Sequence, residues 1–305
     1  MIETEIIERL RNKPYLMNMG AGSLAKLFKV SRNTVYKLKN KIREVKDNKT
    51  PNIPKILIFD IETSPLRAYV WSRWQQNIYL DQTIAEWFCI CWSAKWLYAD
   101  NTMVEVLTPE EIINEDDSRI MEKLWHLFDE ADIIIAHNGI RFDIAKCNSR
   151  FILLGFPPPS PYQVIDTKIV AAKQFGFSSN KLDALAGYFG IEHKMDTDFD
   201  LWVRCLKGDA EALQYMATYN IKDTEILEEV YLKLRPWIKN HPNVGMYLDS
   251  KEPICSSCGS HTLESTGKYY YTQTAKYELF RCECGALSRG RVNLLNKDVR
   301  KNLIT

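Results

Sequence analysis

The chain has 305 residues, 46% of them apolar, with 40 Lys and Arg against 39 Asp and Glu and a formal net charge of +1. This length and composition support one sizeable hydrophobic core with smaller modules beside it. No apolar run approaches the roughly 20 residues of a membrane span, and the opening MIETEIIERL lacks a signal peptide's apolar stretch, so no membrane association and a cytoplasmic location are expected.

Charge is unevenly distributed. Residues 1–50 carry twelve Lys and Arg against five Asp and Glu, residues 251–305 nine against five, and the stretch between them 19 against 29. Basic ends around an acidic centre suit a nucleic-acid enzyme whose grip on a polyanion lies largely outside its catalytic part. The basic N-terminal end is predicted as helices over 3–11, 24–28 with Ser23 as its cap, and 32–45, with a turn at 29–31. Leu24, Ala25, Phe28, Val30, Val35 and Leu38 would fill its small core. SLAKLFKVSRNTVYKLKNKI (23–42) resembles the helix-turn-helix of resolvase-type and homeodomain-like DNA-binding domains. The resemblance implies that Arg32, Asn33, Thr34, Tyr36, Lys37 and Lys39 face groove and phosphates. A basic helical hairpin packed on the enzyme or on a partner protein is the competing reading. KDNKTPNIPK (46–55) reads as a linker.

Residues 56–65, ILIFDIETSP, carry the most informative feature of the chain. Four apolar residues predict a strand buried on both faces, and the period of two directs Asp60 and Glu62 to one side. Adjacent carboxylates at a buried strand end repel, so a site that keeps both ionised holds a divalent cation between them. DIIIAHNGIRFD (132–143) predicts a short buried strand, a turn through His137, Asn138 and Gly139, and a helix opening near Phe142 with Asp143 in its first turn. Alone, that aspartate would be only a favourable charge at a helix dipole. Residues 208–234 predict a long amphipathic helix on which Tyr219 and Asp223, four apart, share a face.

These runs, Asp-x-Glu, Asn-x-x-x-Phe-Asp and Tyr-x-x-x-Asp in that order, resemble the three exonuclease motifs of the DnaQ-like 3′–5′ exonucleases, in their DEDDy branch, over residues 53–235. The resemblance implies an α/β fold of the RNase H-like type, a mixed central sheet flanked by helices. It also implies that Asp60, Glu62, Asp143 and Asp223 hold two Mg²⁺ or Mn²⁺ ions while Tyr219 orients the attacking water. In-line phosphodiester hydrolysis explains the need, since one ion activates the nucleophile and the other the leaving oxygen. His137 reads as a packed residue outside the catalytic set.

At the C-terminal end, Cys255-x-x-Cys258 and Cys282-x-Cys284, each pair followed by Gly259 or Gly285, flank a stretch with the composition of a hairpin. The pattern resembles a zinc ribbon with four thiolates around one Zn²⁺, and departs from it in the shortened second pair, which leaves His261 as a substitute ligand. Disulfides are the alternative that a cytosolic setting disfavours. Cys89, Cys91, Cys147 and Cys205 read as inert core residues. DTDFD (196–200) reads as a solvated loop, Asp166 as the cap of the following helix, FPPPSP (156–161) as a stiff loop, and WSRWQQNIYLDQTI (71–84) as an aromatic segment without an assigned role, with one wall of the substrate groove as a candidate place for it.

The expected organisation is a small all-α helix-turn-helix domain (1–48), an exonuclease domain (53–245) and a small β zinc ribbon (250–295). The expected activity is removal of nucleoside 5′-monophosphates from DNA 3′ ends in replication, repair or recombination, with a replication or recombination protein as a further partner. RNase D-like action on RNA and a non-catalytic DNA-binding regulator on a nuclease scaffold are the alternatives.

Overall fold

The computed structural model describes residues 6, 7, 9, 10, 16, 19–44, 53–191 and 195–304. They fall into two compact units: Met1–Pro54, Tyr98–Asp100 and Leu232–Thr305 in one, Lys55–Leu97 and Asn101–Tyr231 in the other. Of the helix predicted over 3–11, residues 6, 7, 9 and 10 are described and helical, while Val45 and the linker as far as residue 52 lie outside the described residues.

The first unit opens with α1 (Ala21–Phe28) and α2 (Arg32–Glu44). α1 starts earlier than predicted. Gly20 is its N-cap, and Ser23 lies inside the helix with its hydroxyl donated to the Asp100 carboxylate. Lys29, at φ 54°, ends the helix in the left-handed region, and its amide returns to the Ala25 and Lys26 carbonyls. Ser31 then caps α2, its Oγ accepting the Thr34 amide at 3.1 Å. Leu24, Phe28, Val35 and Leu38 are buried together with Ile6, Leu10, Leu16 and Ala21, and Ala25 and Val30 pack at the edge of this cluster.

The second unit is built on a five-stranded mixed sheet. Its strands are β1 (Ile56–Thr63), β4 (Cys89–Trp96), β5 (Met103–Val106), β6 (Ile133–Ala136) and β7 (Gln163–Asp166); a separate two-stranded ribbon of β2 (Arg67–Ala68) and β3 (Thr83–Ala85) leaves it between β1 and β4. The order is β5-β4-β1-β6-β7, antiparallel on the β4 side of β1 and parallel on the β6 side. This central position explains the apolar run of β1, whose Ile56–Phe59 are all buried. Among the described residues seven α-helices accompany the sheet: α3 (Pro109–Asn114), α4 (Ser118–Glu130), α5 (Asp143–Leu153), α6 (Thr167–Gln174), α7 (Leu182–Phe189), α8 (Phe199–Leu206) and α9 (Ala210–Leu234). Their starts follow local chemistry. Thr108 and Glu111 form a reciprocal capping box with Pro109 at the first helical position of α3. Asp198 caps α8, so DTDFD is a helix entrance, where the sequence predicted a solvated loop.

The core packs Phe59, Phe128 and Phe151 edge to face, with ring centroids 4.9 and 5.5 Å apart. Each such ring contributes roughly 1.5–3 kcal/mol relative to exposure. Cys89, Cys91, Cys147 and Cys205 are buried in the same core, and burial pushes their thiols up, that of Cys205 to about 11. Among the described residues no helix is long and apolar enough to cross a membrane.

The C-terminal part of the first unit is a three-stranded antiparallel sheet, β8 (Leu263–Tyr271), β9 (Lys276–Cys282) and β10 (Leu287–Arg289), followed by α10 (Lys297–Lys301). The first two strands form the predicted hairpin. The third is additional to it.

Candidate active site

Asp60 and Glu62 emerge from the same side of β1, opposite Ser93 and Cys91 of β4. α9 lies against that side of the sheet because buried polar groups of β4 engage its backbone. Ser93 Oγ donates to the Asn220 carbonyl at 2.6 Å and lies 2.5 Å from Thr224 Oγ1. This lock sets the helix register, so that the Asn220 side-chain amide donates to Asp60 Oδ2 at 2.7 Å, and it brings Asp223, 3% exposed, to the same point. Carboxylate oxygens of Asp60, Glu62 and Asp223 all lie within 4.8 Å of one another. Tyr219, buried one turn before Asp223, shares its helix face.

Asp143 arrives from the other direction. After β6 the chain turns through Asn138, at φ 67°, and Gly139, where a Cβ would stand 2.3 Å from that of Ala136. Only glycine permits this tight return into α5. Asp143 is buried in the first turn of α5, and its carboxyl is pushed up to about 7 by burial, opposed by the amides of Asp143 and Ile61, with the Asp166 carboxylate adding to the rise. The Ile61 amide places it against β1 between Asp60 and Glu62, although it is not one of the three acids within 4.8 Å.

Two residues outside the predicted catalytic set support this arrangement. Asn220 fixes a carboxylate oxygen of Asp60. Asp166 caps α6, as predicted, through the Lys168 and Ile169 amides, and in addition accepts the Asn138 and Ile140 amides at 3.0 and 3.3 Å, so it braces the turn that delivers Asp143. His137 is held through Thr167 Oγ1 at 2.9 Å and the Asn180 carbonyl at 3.0 Å, the packed histidine that was expected.

The donor set fits hard divalent cations. Three carboxylates whose oxygens lie within 4.8 Å can share an ion with oxygen ligands at about 2.0–2.6 Å, and such an ion would offset the charge they bring together.

Cys255, Cys258, Cys282 and Cys284 form a second cluster within 4.8 Å, with Sγ separations of 3.8 Å for Cys255–Cys284 and 3.6 Å for Cys258–Cys282. A tetrahedron with Zn–S of about 2.3 Å has sulfurs about 3.8 Å apart, so the spacing fits zinc. Gly259 (φ 74°) and Gly285 (φ 87°) turn the chain after each pair. The shortened C-x-C therefore still delivers Cys284, and His261 lies outside the four-sulfur group, with its Nδ1 3.9 Å from Glu252.

On α2, Arg32, Asn33, Tyr36 and Lys37 are exposed, and Thr34 is half-buried with its hydroxyl 2.8 Å from that of Ser31. Lys39 corrects the sequence reading. It is 9% exposed and its ammonium donates to the Met19 carbonyl, because positions 35, 38 and 39 form one inward stripe.

A family profile described as RNase_H superfamily (RNase_H_2) matches residues 57–235. The chain is 25% identical over 180 residues to the DNA polymerase III PolC-type of Ureaplasma parvum serovar 3, covering 54% of this chain and 12% of that protein. It is 32% identical over 84 residues to Protein NEN1 of Arabidopsis thaliana, covering 27% of this chain and 17% of that one. The chain thus spans less than a fifth of the length of these relatives. Among solved structures, the family B DNA polymerase of the archaeon Pyrobaculum calidifontis matches 63% of this chain and 27% of its own at 17% identity, with a TM-score of 0.42.

Proposed function

This chain belongs to the RNase_H superfamily, and from that premise we propose that it is a metal-dependent 3′–5′ exonuclease acting on DNA. The observation that carries the reading is the convergence of Asp60, Glu62 and Asp223 within 4.8 Å, with Asp143 held against the Ile61 amide between the first two. Asp60, Glu62, Asp143 and Asp223 would hold two Mg²⁺ or Mn²⁺ ions, which supply an activated water and neutralise the leaving 3′-oxygen. The chain's own groups do the rest. Asn220 holds one oxygen of the Asp60 carboxylate through its side-chain amide. Tyr219 orients the attacking water through its hydroxyl, since a phenol with a pKa near 10 is a poor base at neutral pH.

In the same reading, Cys255, Cys258, Cys282 and Cys284 hold one structural Zn²⁺, and Arg32, Asn33, Thr34, Tyr36 and Lys37 contact duplex DNA. The excess of basic residues over 1–50 supports that role, because counterion release at phosphates supplies sequence-independent affinity.

The test is digestion of 3′- and 5′-blocked DNA and RNA in Mg²⁺, Mn²⁺ and EDTA. Release of nucleoside 5′-monophosphates from DNA with a free 3′ end, abolished by EDTA, is the expected result. Equal digestion of 3′-blocked DNA overturns the polarity, and digestion of RNA alone overturns the substrate.

A further inference from the structure

Between β1 and β4 the chain leaves the sheet for an arm, residues 66–85, that the proposed chemistry does not use. Its origin is well defined. Glu62 pairs with Cys91 and Thr63 with Cys89 across a bulge, and just beyond them the Ser64 amide donates to the Phe88 carbonyl and the Phe88 amide to Ser64 Oγ, both at 2.9 Å. The arm therefore springs from the end of β1 that carries the acids.

Its shape is held without a core. The β2–β3 ribbon pairs Arg67 with Ala85 and Ala68 with Thr83. Beyond it the Tyr69 amide donates to the Gln82 carbonyl, Gln82 Oε1 accepts the Tyr79 amide, and Gln76 Nε2 donates to the Trp74 carbonyl, at 2.7–2.9 Å. Ser72, Gln76 and Gln82 are thus engaged within the arm while the rings face outward: Trp71 is 95% exposed, Trp74 82%, Tyr69 75% and Tyr79 68%. Exposed indoles in this number are unusual on a protein surface and mark a binding face.

Charge selects the occupant. The middle of the chain is strongly acidic, yet residues 66–85 contain Arg67, Arg73 and a single acid, Asp81. Arg67 pairs with Glu115, which leaves the Arg73 guanidinium between the two indoles in sequence. Aromatic faces interleaved with Arg and amides, next to a phosphate-cleaving centre, match the chemistry that holds unpaired bases: stacking on the rings and cation contacts to phosphate.

Resting on the exonuclease reading, we propose that the 66–85 arm is a stacking platform for single-stranded DNA, on which Trp71 and Trp74 hold unpaired bases of the strand whose 3′ end lies at Asp60 and Glu62. The arm makes affinity depend on the length of the unpaired strand.

The experiment measures binding of fluorescent oligodeoxythymidylates to the full chain in EDTA, where nothing is hydrolysed, for the wild type, Trp71→Ala/Trp74→Ala and Trp71→Phe/Trp74→Phe. Both side chains are exposed, so the fold should persist. The alanine pair is expected to weaken binding of a strand of about fifteen nucleotides by roughly tenfold or more and to erase its advantage over a trinucleotide, with the phenylalanine pair restoring most of it. Indole fluorescence of the wild type should be quenched by the longer strand, and that quenching reduced in the alanine pair. Unchanged affinity and quenching in the alanine pair overturn the platform and leave a protein-docking arm, while the nuclease assay on the wild type stands or falls separately.

Discussion

The acid centre and the four-cysteine cluster each present four candidate ligands, but they are assembled on opposite terms. Asp60, Glu62, Asp143 and Asp223 come from β1, α5 and α9, elements already fixed by a large core, and their mutual repulsion works against that core. Cys255, Cys258, Cys282 and Cys284 come from two turns of one short segment, and the cluster they bury contains little besides themselves and Ala286. In the first case, on the proposed reading, folding positions the ligands and a cation completes the chemistry. In the second, on the proposed zinc reading, a cation stands in for the missing core.

The largest effect expected from this contrast is on the ribbon. Stripping metal with a strong chelator, or replacing Cys255 by Ser, should forfeit about 10 kcal/mol of metal-coupled folding energy and unfold residues 253–290, while the unit containing the sheet keeps its protection. Hydrogen exchange read by segment distinguishes the two. Protein purified under reducing conditions without zinc, yet protected over 253–290, would remove the metal from the argument.

Next in size is the loss of a carboxylate from the acid centre. Asp223→Ala should lower kcat/KM by about 10³-fold or more, with a melting temperature equal to or above that of the wild type in EDTA, because a repelling charge has been removed. Tyr219→Phe should retain measurable turnover. An active Asp223→Ala enzyme sinks the site assignment.

A smaller loss should follow Asn220→Ala, which removes the donor 2.7 Å from Asp60 and leaves every proposed ligand in place. Supporting groups of this kind typically contribute 10–100-fold, and the change should show as a raised Mg²⁺ requirement that excess metal partly restores. A wild-type metal titration would mean that the lock between Ser93 and α9 suffices without the amide.

The smallest effect belongs to the scaffold alone. Arg119 Nε and Nη2 donate to Glu111 at 2.7 and 2.9 Å, and together with the capping amide of Thr108 they hold the Glu111 carboxyl down to about 2. A carboxyl depressed on folding stabilises above its unfolded pKa and loses that contribution as pH falls from about 4.5 towards 2. The group is partly solvated, so about 1 kcal/mol is expected. Melting of the wild type and Glu111→Gln should therefore differ at pH 6 and converge near pH 2; a constant difference would assign the effect to the cap geometry.

Sequence alone determined the features that depend on local periodicity and on residue chemistry. The ILIF run declares a doubly buried strand, the alternation after it puts Asp60 and Glu62 on one side, and Tyr219 and Asp223 share a face through the helical repeat. The cysteine pairs with their following glycines announce two tight turns in the same way. Only the tertiary structure decided what depends on contacts between distant segments. Asn220 is an ordinary helix residue until Ser93 sets the register of α9, and Asp166 is an ordinary cap until the 138–140 turn folds back onto it. Lys39 reads as one more basic side chain until its stripe is seen to face the small core, and Ser23 reads as a cap until the helix begins before it. A side chain's identity is written at its position, but its hydrogen-bond partner is chosen by packing, and packing energy is summed over the whole core.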